Sequence, residues 1–407
     1  MTEEEQRHIK RFIVLLGETM HQYGTPSHRL ERTLISTTHQ LGMEGHFLAA
    51  PTALTFVFWM PGSEDQSTHI VRVLPGDLDL NRLAQTHDLA EEVLTGALGL
   101  AEGLEQLLAI RRSPELYPVW LQFMAWGATS AAFAALCGTE RPDIIASLFA
   151  GWLAFSLTWL VNRYQYGEEL LEPFSAMVIG LIASAFVAAG YRLNVPAVVL
   201  SGVIAFVPGL SLTIGLRELA ARELLSGTGR IMDSLMVMLK LYFGSSIGLS
   251  MSHLLWEIAP YKAALPVTDW TLYLQVFILT GSLLVIFKVR RSDIIWGVLA
   301  GFIAYGGTQA SGLYLEPEFA GMLGALAVGV YANLYSRIKN TPTQIVLLPG
   351  IVLLVPGSKA YMGLDSMVTG QTFLANTYNS SEILMAFMAI IAGLMFANVI
   401  VPPKLRG

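Results

Sequence analysis

Charge and cysteine are what this sequence has least of. Asp, Glu, Lys and Arg make up 14% of its 407 residues, against about 25% in a soluble globular protein. That deficit argues against an ordinary soluble enzyme. A hydrophobic content of 53% and a mean hydropathy of +0.53 argue against a disordered chain. The formal charge of −6 supplies no basic field to attract a phosphate backbone, so no nucleic-acid partner is expected. A single cysteine, Cys137, excludes a disulfide framework and a cysteine-based zinc site, and in its apolar run it reads as a small core residue. No carboxylate or cysteine completes a standard ligand spacing around His21, His28, His39 and His46, so neither a metal nor a cofactor is expected. What remains is a polytopic membrane protein.

The missing charge is unevenly distributed. Residues 1–110 carry 15 acidic and 7 basic side chains and seven of the eight histidines; residues 111–407 carry 16 acidic and 18 basic ones. An acidic soluble domain therefore precedes a membrane domain. Met1 to Arg11 is acidic before it is basic, and the apolar run Phe12 to Leu16 is too short for a signal-peptide core, so the first domain is expected in the cytoplasm. Its pattern predicts helices over 7–23 and from Pro26 to about Gly42, with Thr25 as cap and Pro26 in the first turn. Strands are predicted over Phe47 to Trp59 and Ile70 to Leu74, then helices from Asp79 to Leu94 and from Leu98 to Arg111.

From Tyr117 onward, apolar runs approach the ~20 residues needed to cross a bilayer. Ten spans are expected, centred near Gly127, Trp152, Leu181, Phe206, Phe243, Leu279, Gly301, Ala327, Leu353 and Ala389. With the first domain inside, thirteen basic residues fall in cytoplasmic segments: Arg111, Arg112, Arg163, Arg217, Arg222, Arg230, Lys288, Arg290, Arg291, Arg337, Lys339, Lys404 and Arg406. Only Arg141, Arg192 and Lys262 fall outside, as the positive-inside rule requires.

The membrane half repeats itself. Arg141-Pro-Asp143-Ile144-Ile145 with Ala150-Gly151 matches Arg291-Ser-Asp293-Ile294-Ile295 with Ala300-Gly301 at an offset of 150. Leu171-Glu172-Pro173 matches Leu315-Glu316-Pro317, and Gly202 with Val207-Pro208-Gly209 matches Gly350 with Val355-Pro356-Gly357. Five spans is an odd number, so two such units would face opposite ways, an architecture recurrent in secondary transporters. The expected fold class is an α-helical polytopic membrane protein: ten transmembrane helices as two inverted five-helix repeats, with an N-terminal cytoplasmic α/β (α+β) domain. The expected boundaries are 1–112, 113–262 and 263–407.

The fourth and ninth spans carry Pro208-Gly209 and Pro356-Gly357 in their middle. Proline removes a backbone donor and glycine tolerates unwinding, and such breaks persist in lipid only when buried in protein or lining a wet cavity. The half-helix after each break offers amides to an anion. Candidate substrate-binding residues are therefore Pro208, Gly209, Ser211 and Thr213 at one break, and Pro356, Gly357, Ser358, Lys359 and Tyr361 at the other. Lys240 joins them as a second intramembrane cation, although a path to the membrane surface is open to it. Asp365, Glu257 and His253 are weaker candidates for proton coupling, being close to predicted outer helix ends.

Several of these stretches resemble the threonine/serine exporter family. The resemblance rests on Gly24-Thr-Pro-Ser-His-Arg29-Leu-Glu31, Pro51-Thr52-Ala53, the stretch from Asp79 to Ile110, and Leu354-Val355-Pro356-Gly357-Ser358 with Tyr361 and Gly363. It implies efflux of threonine, serine or related small metabolites, driven by the membrane potential or a proton gradient; some split members of the family are thought to export a dicarboxylate. Gly24, Arg29 and Glu31 are then candidates for contacting the membrane domain or gating its cytoplasmic mouth, the alternative for Arg29 and Glu31 being a surface ion pair within the first domain. The expected setting is the inner membrane of a bacterium, with several passes and both termini in the cytoplasm. The expected partners are a small-molecule substrate, lipid and, in an assembly, further copies of the chain. A membrane-embedded hydrolase or signalling protein is the rival class; against it, no G-x-S-x-G nucleophile elbow, no H-E-x-x-H and no phosphate-binding loop is expected.

Overall fold

The computed structural model describes residues 2–73, 78–256, 271–314, 316–369 and 380–403. Leu74, Glu257, Lys262, Leu315, Lys404, Arg406 and the side chain of Asp365 lie outside the described residues. The protein is about 75% helical, with sixteen α-helices and one three-stranded sheet among the described residues.

The first 112 residues fold as α1 (Glu3–Gln22), α2 (Ser27–Gln40), β1 (Glu44–Ala50), β2 (Ala53–Trp59), β3 (Gln66–Arg72), α3 (Leu80–Leu94) and α4 (Leu100–Arg112). Thr2 and Glu5 form a reciprocal capping box at the start of α1, which extends the helix four residues beyond the predicted start. The run predicted as one strand from Phe47 to Trp59 is two. Ala50 pairs with Ala53 across Pro51 and Thr52, so the prolyl residue, which has no N–H to give a ladder, occupies the turn. All three strands are antiparallel in the order β1-β2-β3. Strand periodicity turns Phe47, Leu54, Phe56 and Phe58 inward against Phe12, Ile13, Leu16, Leu30 and Leu34 of α1 and α2.

The remainder is a helical bundle. Its first half runs α5 (Val119–Leu136), α6 (Arg141–Tyr164), α7 (Leu171–Ala188), α8 (Val195–Gly202), α9 (Gly209–Ala220) and α10 (Leu224–Leu255). Its second half runs α11 (Leu272–Ile286), α12 (Ile294–Ser311), α13 (Pro317–Lys339), α14 (Gln344–Val352), α15 (Gly357–Thr369) and α16 (Ser380–Ile400). Among the described residues, six helices are each long and apolar enough to cross a membrane: α5, α6, α7, α10, α13 and α16. The bent pair α14 and α15 would make a seventh, whereas α11, at 15 residues, is shorter. Outward-facing Ile145, Phe149 and Ile295 are exposed, as expected of surfaces solvated by lipid.

Several close helix contacts occur twice, 148 to 150 positions apart. A Cβ on Gly202 would meet Ala150, and one on Gly350 would meet Ala300. Gly151 abuts Ser130 as Gly301 abuts Thr280, and Gly244 sits against the carbonyl of Pro173 as Gly393 sits against that of Met322. The small residues that make the sequence look repetitive are thus the ones at which helices approach most closely.

The N-terminal domain is welded to the bundle. Leu80, Leu83 and Ala84 of α3 share one core with Tyr335, Ile345 and Leu348. The first amides of α3, Leu80 and Asn81, donate to the carbonyls of Phe287 and Lys288 beyond the end of α11, each at 3.0 Å. At 32 residues and ~1.5 Å per residue, α10 is longer than a ~30 Å hydrocarbon core. Its first turns reach the domain, where Gly229 lies under the ring of Pro51.

Candidate functional site

The two Pro-Gly breaks, far apart in sequence, cross in space. A Cβ built on Gly209 would lie 3.0 Å from Cα of Gly357, and one on Gly357 would lie 2.8 Å from Cα of Gly209. Only glycine permits that approach. At the first break the chain leaves α8 through tight turns, with Phe206 N–H donating to Val203 O at 2.9 Å and Gly209 N–H to Val207 O at 2.8 Å. At the second, Leu354 N–H donates to Ile351 O at 2.9 Å. Local bonds therefore take up part of the hydrogen-bonding capacity freed by unwinding.

The other residues singled out at the breaks divide. Ser211 and Ser358 are half-buried in the first turns of α9 and α15. The Thr213 hydroxyl donates back to Gly209 O at 3.1 Å, within its own helix. The Tyr361 hydroxyl is buried and hydrogen-bonded to Ser245 Oγ at 2.8 Å, which ties α15 to α10. Lys359 is half-buried on α15. Lys240 on α10 forms an ion pair with Glu172 of α7 at 3.7 Å. His253 is exposed near the far end of α10. The string Gly244-Ser-Ser-Ile-Gly248 fits the G-x-S-x-G pattern, but it lies inside continuous α10 with both glycines pressed onto backbone carbonyls of α7, and not on a strand-to-helix elbow.

A second constellation sits where the N-terminal domain meets the bundle, and the Gly24–Glu31 motif builds it. Gly24, at φ +96°, ends α1, and Thr25 N–H reaches back to Met20 O at 3.0 Å, a Schellman closure that turns the chain into α2. Thr25 does not cap α2 as expected. Pro26 occupies the cap position, and the exposed amide of Ser27 donates instead to Glu218 Oε1 of α9 at 3.1 Å. A carboxylate at the positive end of α2 replaces the local cap. Glu218 is fully buried and also accepts from Arg230 Nε at 3.1 Å. Ser27 Oγ and Ser226 Oγ lie 2.7 Å apart, and Ser226 donates to Ala49 O.

Arg29 and Glu31 diverge, as their spacing on a helix requires. Arg29 donates to Thr343 Oγ1 at 2.5 Å and to Gln344 Oε1 at 2.9 Å, at the start of α14. Glu31 accepts from Ala49 N at 2.7 Å and stays within its own domain. They form no ion pair with each other, and Arg29 joins the domain to the bundle. Burial, reinforced by the nearby Arg217 charge, lowers the Arg29 pKa to about 10, so it remains a cation at neutral pH. Burial, then Arg217, Arg29 and Arg32 in turn, lower that of His28 to about 4, so its imidazole is neutral. Burial raises the carboxyls of Glu31 and Asp79, against the hydrogen bonds each accepts from backbone.

Between α2, α3, α9, α13 and α14 lies a chamber of about 720 Å³ whose lining includes Arg29, Arg32, Arg217, His28 and Thr25. Glu218, Thr343 and Gln344 carry no motif in the sequence, and Arg217 reads there only as a cytoplasmic charge. The available signal was the Arg217-Glu218 pair, placed two turns after a helix break where apolar residues would be expected.

A helical bundle with paired helix breaks and a sheet-bearing N-terminal region docked over one end is an architecture that recurs among membrane transport proteins. The chain belongs to the threonine/serine exporter family: one profile of that family matches residues 11–252 and a second, described as Threonine/Serine exporter, matches residues 273–400. It is 27% identical over 384 residues to pheromone-regulated membrane protein 10 of Saccharomyces cerevisiae, covering 93% of this chain and 49% of the relative. A protein of Schizosaccharomyces pombe named only as uncharacterized is 28% identical over 401 residues, covering 92% and 51%. The Candida albicans pheromone-regulated membrane protein 10 is 28% identical over 389 residues, covering 92% and 34%. The chain thus spans about half the length, or less, of these curated relatives. No solved structure matches. The fungal origin of the relatives corrects the expectation of a bacterial inner membrane and indicates a eukaryotic membrane.

Proposed function

We propose that the protein is a secondary active exporter of small polar amino acids, threonine and serine, working by alternating access and driven by the proton-motive force. The observation that carries this reading is the crossing of Gly209 on Gly357, which brings the first turns of two half-helices to one point inside the bundle. The doubled contacts Gly202–Ala150 and Gly350–Ala300, Gly151–Ser130 and Gly301–Thr280, and Gly244–Pro173 and Gly393–Met322 support two related five-span units of opposite orientation, at 113–262 and 263–407, after a domain at 1–112. Counting α8 with α9 and α14 with α15 as broken spans, and α11 and α12 as full ones, gives ten. Arg217, Arg230, Lys288 and Arg290 all lie at the end bearing the domain, which supports that end as the cytosolic one.

The substrate site in this reading comprises the break residues with Ser211, Ser358 and Lys359, the lysine receiving the substrate's carboxylate. Counterflow in proteoliposomes with labelled threonine, serine and succinate tests it. Exchange of threonine or serine is expected, succinate is the arm for a dicarboxylate exporter, and movement of none under any imposed gradient overturns the transporter reading. Lys359→Met is expected to raise the apparent KM for the moved solute; an unchanged KM removes Lys359 from the site.

A further inference from the structure

We propose that the chamber between the N-terminal domain and the bundle is a binding site for a small dianion bearing carboxylate or phosphate oxygens. Its wall carries three guanidinium groups, from Arg29, Arg32 and Arg217, and one carboxylate, from Glu91. Buried charges are ordinarily paired, because desolvation is costly without a counter-ion. Among the described residues that pairing is incomplete for Arg29 and Arg217, while Arg32 is exposed and adds its charge at the rim. Arg29 gives its hydrogen bonds to the neutral side chains of Thr343 and Gln344. Glu218, the neighbour of Arg217 in sequence, is committed to Ser27 and Arg230. Among the described residues, neither Arg217 nor Arg32 has a carboxylate within ion-pair distance.

A second observation points to the same space. Thr25 is 4% exposed and lines the chamber, yet its hydroxyl has no hydrogen-bond partner among the described residues; the Nδ1 atom of His28 is likewise buried and unpartnered. A ligand with several acceptor oxygens would engage both the guanidinium forks, which match carboxylate and phosphate geometry, and the idle hydroxyl. The neutral imidazole of His28 can present a ring N–H without adding a further charge. At about 720 Å³ the space falls within the range of small-molecule sites and leaves room for water around so small a ligand.

The position gives such an anion a role. Arg32 and His28 belong to α2, Arg217 to α9 after the first break, and Thr343 and Gln344 to the start of α14 before the second. A dianion held there would link the soluble domain to the helices leading into the crossing. The inference does not depend on transport, since it is read by binding.

The full chain, purified in detergent, is titrated by calorimetry at constant ionic strength with succinate, inorganic phosphate, threonine and chloride. Saturable binding of succinate or phosphate is expected; succinate alone identifies a dicarboxylate site, and phosphate alone a phosphate site. Arg217→Gln is expected to weaken binding at least ~10-fold, the equivalent of about 1.4 kcal/mol. Arg32→Gln, at an exposed position, gives a second reading should Arg217→Gln fail to fold. Absence of binding by either dianion, binding unchanged in both variants, or threonine binding with the same sensitivity to the variants overturns the proposal.

Discussion

Gly209 and Gly357 occupy each other's missing side-chain space: each would place a Cβ within 3.0 Å of the other's Cα. Gly209→Ala would also meet Val355 Cγ1 at 2.8 Å. Either alanine variant is expected to lower stability by ~1–3 kcal/mol, the usual range for overpacking, and to reduce transport. Gly306→Ala on α12, with nothing within 4 Å, is the control and should be neutral or slightly stabilising. Thermal unfolding in detergent and proteoliposome flux together check this. Equal stability in all three variants would mean that the crossing yields freely.

The buried carboxylate of Glu218 serves two partners, so Glu218→Gln is expected to cost ~2–4 kcal/mol, through a stranded Arg230 and a weakened cap on α2. Glu218→Gln combined with Arg230→Met should recover part of the loss. Limited proteolysis between the domain and the bundle, expected to accelerate in the single variant, is the more local readout.

His28 sets a pH dependence whose sign is fixed. Its folded pKa, about 4, lies below the ordinary 6.5, so between these values the unfolded chain binds more protons. Stability from this residue is complete above about 6.5 and falls as pH drops toward about 4, each unit of displacement being worth about 1.4 kcal/mol. His28→Gln should flatten the acid limb of a stability-versus-pH curve. An unaltered limb would assign it to other groups.

Lys240 and Glu172 are expected to behave as a structural pair. Lys240→Met and Glu172→Gln should each destabilise by ~1–3 kcal/mol, between the exposed and buried limits, and together by less than their sum. An apparent substrate affinity lost in Lys240→Met but kept in Glu172→Gln would instead place the lysine at the substrate.

Much of the fold was legible because its signals are local. The helix expected from Asp79 begins there, with Asp79 as its cap, and Pro208 and Pro356 mark real breaks because proline acts on its own turn. Misreadings arose where a distant group intervened. Thr25 looked like a cap, but the amide it would have served is taken by Glu218, 191 residues from Ser27. Arg29 and Glu31 stood out by type, yet their opposite roles depend on which of Thr343, Gln344 and Ala49 lies within reach, which no spacing reveals. Arg217 reads from sequence as a charge recording direction; the adjacent Glu218 after a helix break hints at more, but which cavity the arginine faces depends on residues far away in the chain.

The N-terminal domain grips both halves of the bundle. α2 is fastened to α9 and α10 through Glu218 and Ser226 and to α14 through Arg29, while α3 is seated end-on against the carbonyls of Phe287 and Lys288. A body bolted to both sides of a hinge is a splint. If the halves rock against each other, either the sheet domain must shear or one grip must let go. The Ser27 amide and the Leu80 and Asn81 amides are where that choice would register, as a change in hydrogen-exchange protection at one end of the splint but not the other.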